Sequence, residues 1–192
     1  MAESIHYTNC KGKTYYLHDA ITKTGKTRYV MTRIAEGALT KLPEGHVITE
    51  SVNGQVSVGR IQPRLITELE EARVKSELER LGLINYRIAV KRAYITIYEP
   101  LYHEDDYLPM LKQMGVFPTM MKKILAKMTA KGPFDPVMRF RITDEDRRLF
   151  SVERMTYRGN GGWMSLHDSG TLMELIQTYL KHLGKDSFYD LV

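Results

Sequence analysis

Apolar residues alternate with polar ones near both ends of this chain, and helical spacing takes over in the middle and again close to the C-terminus. From Lys13 to His18, "KTYYLH" is rich in β-favouring residues, and "TRYVMTR" from Thr27 to Arg33 is the same kind of segment. The polar "DAITKTGK" between them, with Gly25, predicts a hairpin loop several residues long. "HVITESV" and "QVSVGRI" flank Asn53-Gly54, which predicts a second hairpin closed by a tight type I′ turn. Thr67 with Glu70 makes a capping box, Pro63 stands upstream, and Gly82 sits where a left-handed C-terminal residue belongs, so Thr67 to Leu81 is predicted helical. Its apolar residues fall into two groups, Leu69 with Ala72 and Val74 with Leu78 and Leu81, which leaves the buried face open.

"INYRIAVKRAYITIYEP" alternates through Ile84, Tyr86, Ile88 and Val90 before its phase changes. Two strands joined near Lys91-Arg92 fit ordinary strand lengths, with one long bent strand as the alternative. Between Pro100 and Pro136 the period becomes helical: Tyr107, Met110, Leu111 and Met114 form one stripe, and Met120, Met121, Ile124, Leu125 and Met128 a second. "VMRFRI" then alternates with Met138, Phe140 and Ile142 inward and Arg139 and Arg141 outward, "LFSVERMTY" runs back, and a third strand begins at Trp163 after "RGNGG". Thr171 and Glu174 cap a last helix whose stripe runs from Leu172 to Leu183 before Gly184.

Short turns force neighbouring strands antiparallel, so the predicted class is α+β: antiparallel hairpins and a meander packed with about four helices. The expected division is a β-rich lobe over 1–100 and a second lobe over 101–192, bounded near the helical pair, with a single compact domain as the alternative.

Composition narrows this picture modestly. Of 192 residues, 43% are hydrophobic and 27% charged, as in ordinary folded proteins. No stretch approaches the ~20 apolar residues of a membrane span, and "MAESIHYTNC" lacks a secretory apolar core, so the expectation is a cytoplasmic protein with no membrane partner. The single cysteine, Cys10, fits that expectation as an exposed free thiol and rules out an internal disulfide. The net charge of +5 is uneven: through Arg64 there are nine Lys or Arg against five Asp or Glu, and beyond it nineteen against eighteen. The basic excess therefore sits in the N-terminal third, where it permits attraction to phosphate or acidic partners but is far weaker than the clustered basic stripe of a dedicated nucleic-acid binder.

Candidate chemistry is sparse. "AITKTGKT" from Ala20 to Thr27 matches a loose phosphate-loop pattern, but Thr27 runs into strand residues, whereas a phosphate loop delivers its Lys and Thr onto a helix. A second Gly-Lys-Thr, at Gly12 to Thr14, does the same, which points to a turn habit. "YHEDDY" from Tyr102 to Tyr107 reads as an acidic helix start, and neither a metal nor a cofactor is expected. "RGNGGWMSLHDS" reads either as a binding loop beside the only tryptophan or as a glycine hairpin with Trp163 in the core; Asp168 and Ser169 are expected to open the last helix. Arg139, Arg141, Arg154 and Arg158 make a candidate basic sheet face flanked by Tyr157, and the Met-rich helix from Thr119 to Lys131 is a candidate partner surface.

"YYLH" followed by "TKTGKTRYVMT", and "VERMTYRGNGGWMSLHDSG" with "LGKDSFYDL", are similar to a bacterial family of uncharacterised proteins. The resemblance covers the two ends of the chain, and it implies no activity and carries over no functional residues. The leading expectation is thus a non-catalytic cytoplasmic binding or adaptor module for a protein or a nucleic acid. The candidate contacts are Lys23, Lys26, Arg28, Arg158, Asn160 and Trp163. A nucleic-acid-binding protein using the basic N-terminal hairpins is the first alternative. The second is an enzyme with a dispersed site drawing on His18, His46, His103 and His167.

Overall fold

Strand pairing accounts for most of the architecture. The structure, a computed structural model, describes residues 3–102, 104–156 and 161–191. Those residues form three antiparallel sheets and four helices, the α+β class that the pattern predicts. The chain divides into two compact units, Met1–Gln62 and Pro63–Val192.

The first unit has a three-stranded sheet of β1 (His6–Thr8), β2 (Thr14–Ile21) and β3 (Thr27–Thr32), and a two-stranded sheet of β4 (His46–Glu50) and β5 (Val56–Arg60). β1 is only three residues long, too short for alternation to announce it. Three loops of this unit share one hydrogen-bond scheme, at Asn9–Lys13, Thr22–Lys26 and Ser51–Gln55. In each, the first residue's N–H donates to the fifth residue's carbonyl at 2.9 Å, and its side-chain oxygen accepts the fifth residue's N–H at 2.9–3.0 Å. The fourth residue is a glycine, with φ of 73°, 77° and 78° in turn, and its N–H returns to the first carbonyl. A left-handed fourth residue and a short polar first residue are therefore the requirement, which Asn, Thr or Ser with Gly meets.

Two expectations are settled by this loop. The phosphate-loop look-alikes are the last residues of two such hairpin loops, with Ile21 paired to Thr27 and Thr8 to Thr14 across their ladders. The Asn53-Gly54 turn is also not type I′. Strand pairing ends at Glu50 and Val56, the loop is longer than two residues, and only Gly54 takes a positive φ. Asn9 fixes it from outside, donating Nδ2–H to the Gly54 carbonyl at 2.6 Å from a buried position.

The second unit is built on a five-stranded meander in the order β10-β9-β8-β7-β6. It comprises β6 (Arg87–Lys91), β7 (Tyr94–Pro100), β8 (Phe134–Asp144), β9 (Leu149–Thr156) and β10 (Gly162–Thr171). The helical pair, α2 (Glu104–Gln113) and α3 (Pro118–Lys131), is an excursion between β7 and β8, which are direct neighbours in the sheet. α1 (Glu68–Arg80) and α4 (Leu172–Tyr179) supply Val74, Leu78, Leu172, Leu175 and Ile176 to the core against Ile95, Ile97, Met138, Phe140, Phe150 and Val152. Burial of each such side chain contributes about 1.5–3 kcal/mol. No helix among the described residues is long and apolar enough to cross a membrane.

Both capping boxes form as predicted, and α1 ends at Gly82, whose neighbour Leu83 N–H returns to the Leu78 carbonyl at 2.9 Å. The Val74 and Leu78 group is the buried one, and Leu69 is exposed. Glu70 does more than cap. Its carboxylate accepts the Thr67 N–H and two donors from Arg148, which also reaches the Leu65 carbonyl. Burial pushes the Glu70 carboxyl up, but the hydrogen bonds from Arg148 and Thr67 outweigh it and hold the group below its ordinary value. The β6–β7 connection is a two-residue turn, with Arg92 at φ 49°. Neither residue favours a turn, and tertiary bonds hold it: Leu65 N–H donates to the Arg92 carbonyl and Ile142 N–H to the Ala93 carbonyl.

β10 differs from expectation at its C-terminal half. Asp168 and Ser169 stay in the strand, and the helix is capped by Thr171 instead. A bulge between Ser165 and Ser169 absorbs two extra residues, with His167 at φ 54°, and the Tyr179 hydroxyl donates to Asp168 across it at 3.0 Å.

Candidate nucleic-acid interface

The two faces of the five-stranded sheet follow from register. Residues directly paired across the ladders share a face, so Thr96, Arg139, Glu153 and Ser165 line up on one side, as do Tyr94, Arg141, Ser151 and Ser169. Two residues along its strand from Ser165, and paired with Met155, Trp163 joins them. None of these residues belongs to the core, and all are exposed or half-buried. Trp163 is therefore not the core aromatic of the hairpin reading.

Arg139 is the centre of this face. Its guanidinium carbon lies 4.2 Å from the Trp163 ring centroid and 4.6 Å from that of Tyr94, and its Nε pairs with the Glu153 carboxylate directly opposite. Side chains from β7, β8, β9 and β10 thus converge on one cation. Each stacking contact contributes roughly 0.5–2 kcal/mol, and together they fix a guanidinium plane between two aromatic rings. Arg141, 5.9 Å from the Tyr94 ring, and Lys91, paired with Tyr94, are exposed beside the cluster, and Arg87 follows on β6. Among the described residues, Glu153 and, at the far end of the β8–β9 ladder opposite Leu149, Asp144 are the carboxylates set against Arg87, Lys91, Arg139 and Arg141.

Arg154 does not belong here. It pairs with the buried Met138 and with Met164, so it points to the core side, where its Nε donates to the Leu191 carbonyl at 2.7 Å and its guanidinium to the Tyr189 carbonyl at 3.3 Å. It holds the C-terminal segment. The signal was present in the sequence, because Arg154 has the same parity as Phe150 and Val152. Tyr94 and Lys91 were missed because their place beside Arg139 depends on β7 and β8 pairing across the helical excursion.

The remaining candidates are scattered. Arg158, Asn160 and Tyr157 lie outside the described residues, as does His103. Lys23 and Lys26 are exposed on the Thr22–Lys26 loop, and Arg28 follows on β3. His18 Nε2 bonds the Ile34 carbonyl at 2.7 Å, His46 stacks edge-on against Tyr29, and His167 sits in the β10 bulge. Of these three, His46 lines a groove, and His18, His46 and His167 are held by separate partners. No cluster of metal-ligating side chains forms among the described residues. Cys10 is exposed, and the hydrogen bond with Glu50, then burial, push its thiol up, so the protonated form is favoured.

α2 and α3 pack together through a small core of their own, with Leu111 and Leu125 buried. Part of the predicted stripe faces solvent instead: Met114 is 70% exposed and Met110 and Met120 are also exposed, and Phe117, at the start of α3 and outside that stripe, is 74% exposed. No family model, curated protein or solved structure matches the chain.

Proposed function

We propose that this protein is a cytoplasmic, non-catalytic module that lays single-stranded nucleic acid across the open face of its five-stranded sheet. The observation that carries this reading is the Arg139 guanidinium held between Trp163 and Tyr94 on a solvent-accessible sheet. Rings and guanidinium planes fixed in this way offer stacking platforms to unpaired bases, and stacking tolerates any base. Arg87, Lys91 and Arg141 supply the charge that a phosphate backbone needs.

Trp163 is the only tryptophan, so its fluorescence reports on this face alone. Titration with an oligonucleotide of about a dozen residues, lacking terminal phosphates, at ~50 mM salt should quench it saturably. With about three phosphates neutralised, the slope of log K against log salt should be roughly −2. An unchanged emission together with no retention of a labelled oligonucleotide at that salt would falsify the proposal.

The exposed Met110, Met114, Phe117 and Met120 support a second reading, in which the helical pair docks a protein. Thioethers and an exposed ring suit an adaptable interface. A Met114→Ser, Phe117→Ser double variant should then lose a partner that the wild type retains while still binding oligonucleotide. Equal capture of every partner by both forms would rule the adaptor reading out.

A further inference from the structure

We propose a second binding site, for a phosphate group, in the first unit, in the groove between β3 and β5. It is independent of the sheet-face reading. Both strands have an edge with no strand paired to it, and they lie side by side without forming a ladder. A strand edge presents backbone N–H groups that no ladder consumes. Between them is a groove of about 470 Å³ lined by Arg28, Tyr29, His46, Gly59 and Arg60, among others.

Three residues with cationic or donor side chains line this groove. Arg28 enters from β3 and Arg60 from β5, and His46 is the direct ladder partner of Arg60. Among the described residues neither arginine pairs with a carboxylate or donates a side-chain hydrogen bond. The His46 ring is held from two sides. Its Nδ1–H donates to the Glu44 carbonyl at 2.9 Å, and the ring lies edge-on to Tyr29 with centroids 5.1 Å apart. That leaves Nε2 for a ligand, accepting the P–OH hydrogen of a phosphate when the ring is neutral and donating to a phosphate oxygen when it is imidazolium. The carboxylate of Asp19, opposite Tyr29 in the ladder, is not among the groove's lining residues.

Gly59 adds a structural hint. It sits inside a strand without a positive φ, and a Cβ there would meet nothing within 4 Å, so neither strain nor packing in the unit requires a glycine. Strand glycines often mark a bulge, a tight bend or a place where another group approaches the backbone, and Gly59 pairs regularly with Val47 without a bulge. Two unpaired guanidiniums, one oriented imidazole and an open strand edge match the tetrahedral, multiply charged oxygens of a phosphomonoester better than any apolar ligand. The groove is larger than phosphate alone and has room for the group that carries it.

The test is a proton NMR titration of the His46 and Tyr29 ring signals with inorganic phosphate, at ionic strength held constant with chloride. Saturable shifts are expected. Arg28→Gln and Arg60→Gln should each weaken binding roughly tenfold or more. Lys11→Gln, outside the groove, should leave it unchanged. Both arginines are exposed, so the variants are expected to keep the wild-type melting temperature, which is measured alongside. A nucleoside monophosphate binding more tightly than inorganic phosphate would assign the rest of the groove to the carrier, and equal affinity would assign the site to the free ion. Shifts that stay linear, or arginine variants that bind like wild type, overturn the proposal. Because the sheet-face titration uses oligonucleotides without terminal phosphates, failure of one reading leaves the other standing.

Discussion

The two faces of the five-stranded sheet are cut from the same strands and obey opposite rules. On the core side, Ile95, Ile97, Met138, Phe140, Phe150 and Val152 are almost wholly removed from water, and a change of one side chain is felt as a cavity. On the other side, neighbouring positions carry Arg139, Arg141, Tyr94 and Trp163, half in solvent, whose mutual contacts are stacking and ion pairing. Two arginines make the contrast within one sheet. Arg154 on the core side is spent on backbone carbonyls of the C-terminal segment, whereas Arg139 is held by side chains that a ligand can share. Stability should thus reside in one face and recognition in the other.

The largest effect that would break this contrast is at Phe140, which is fully buried. Phe140→Ala should cost about 3–5 kcal/mol in chemical denaturation, through lost transfer energy and the cavity left behind. A cost below ~1 kcal/mol would mean that the core is not on this side.

Next comes the Glu70–Arg148 pair at the rim of the core face. Arg148→Ala should cost about 1–3 kcal/mol, less than for a fully buried pair because the Arg148 side chain keeps 37% of its surface in solvent. The same pair sets a pH dependence. The Glu70 carboxyl is held below its ordinary value in the folded state, so the unfolded chain binds the proton more readily and stability rises with pH across that interval. The contribution is complete above the unfolded value of about 4.3 and is lost as pH falls through the lower folded value. Urea midpoints measured across the acid range should therefore fall less steeply for Glu70→Gln than for wild type, and parallel curves would remove Glu70 from the account.

On the open face the ordering reverses. Trp163→Ala should cost about 1 kcal/mol of stability or less, yet weaken a labelled oligonucleotide roughly tenfold or more, measured by anisotropy. Smallest in stability is Arg141→Ala, expected within ~0.5 kcal/mol of wild type in melting experiments while the salt slope falls by about 0.7. An Arg141→Ala variant with unaltered salt dependence would take that charge out of the interface.

Much of the fold was legible because it rests on local rules. The parity of Met138, Phe140 and Ile142 against Arg139 and Arg141, both capping boxes and the last helix follow from spacing alone. The hairpin loops carried a readable signal that chemistry disguised. A short polar residue three positions before Gly explains Asn9, Thr22 and Ser51 without any phosphate. At Trp163 the core reading overlooked a signal that was there: the residue alternates with Met164 and the buried Leu166 along β10, which puts it on the other face. What stayed hidden was tertiary. The Arg92 turn is held by Leu65 and Ile142, the Asn53-Gly54 loop by Asn9, and the Tyr94–Arg139–Trp163 stack by the register of four strands. Pairing of that kind leaves no periodic trace in one strand.

The helical excursion has a consequence for how this chain can change. It leaves and rejoins the sheet at one point, where Leu101 N–H donates to the Pro133 carbonyl at 2.9 Å, and none of its described side chains enters the main core. Topologically it is a cassette clipped into a hairpin. A shorter turn or a different pair of helices can replace it without renumbering a single rung of the β7–β8 ladder, so insertion and deletion here alter what the protein displays and not how it folds.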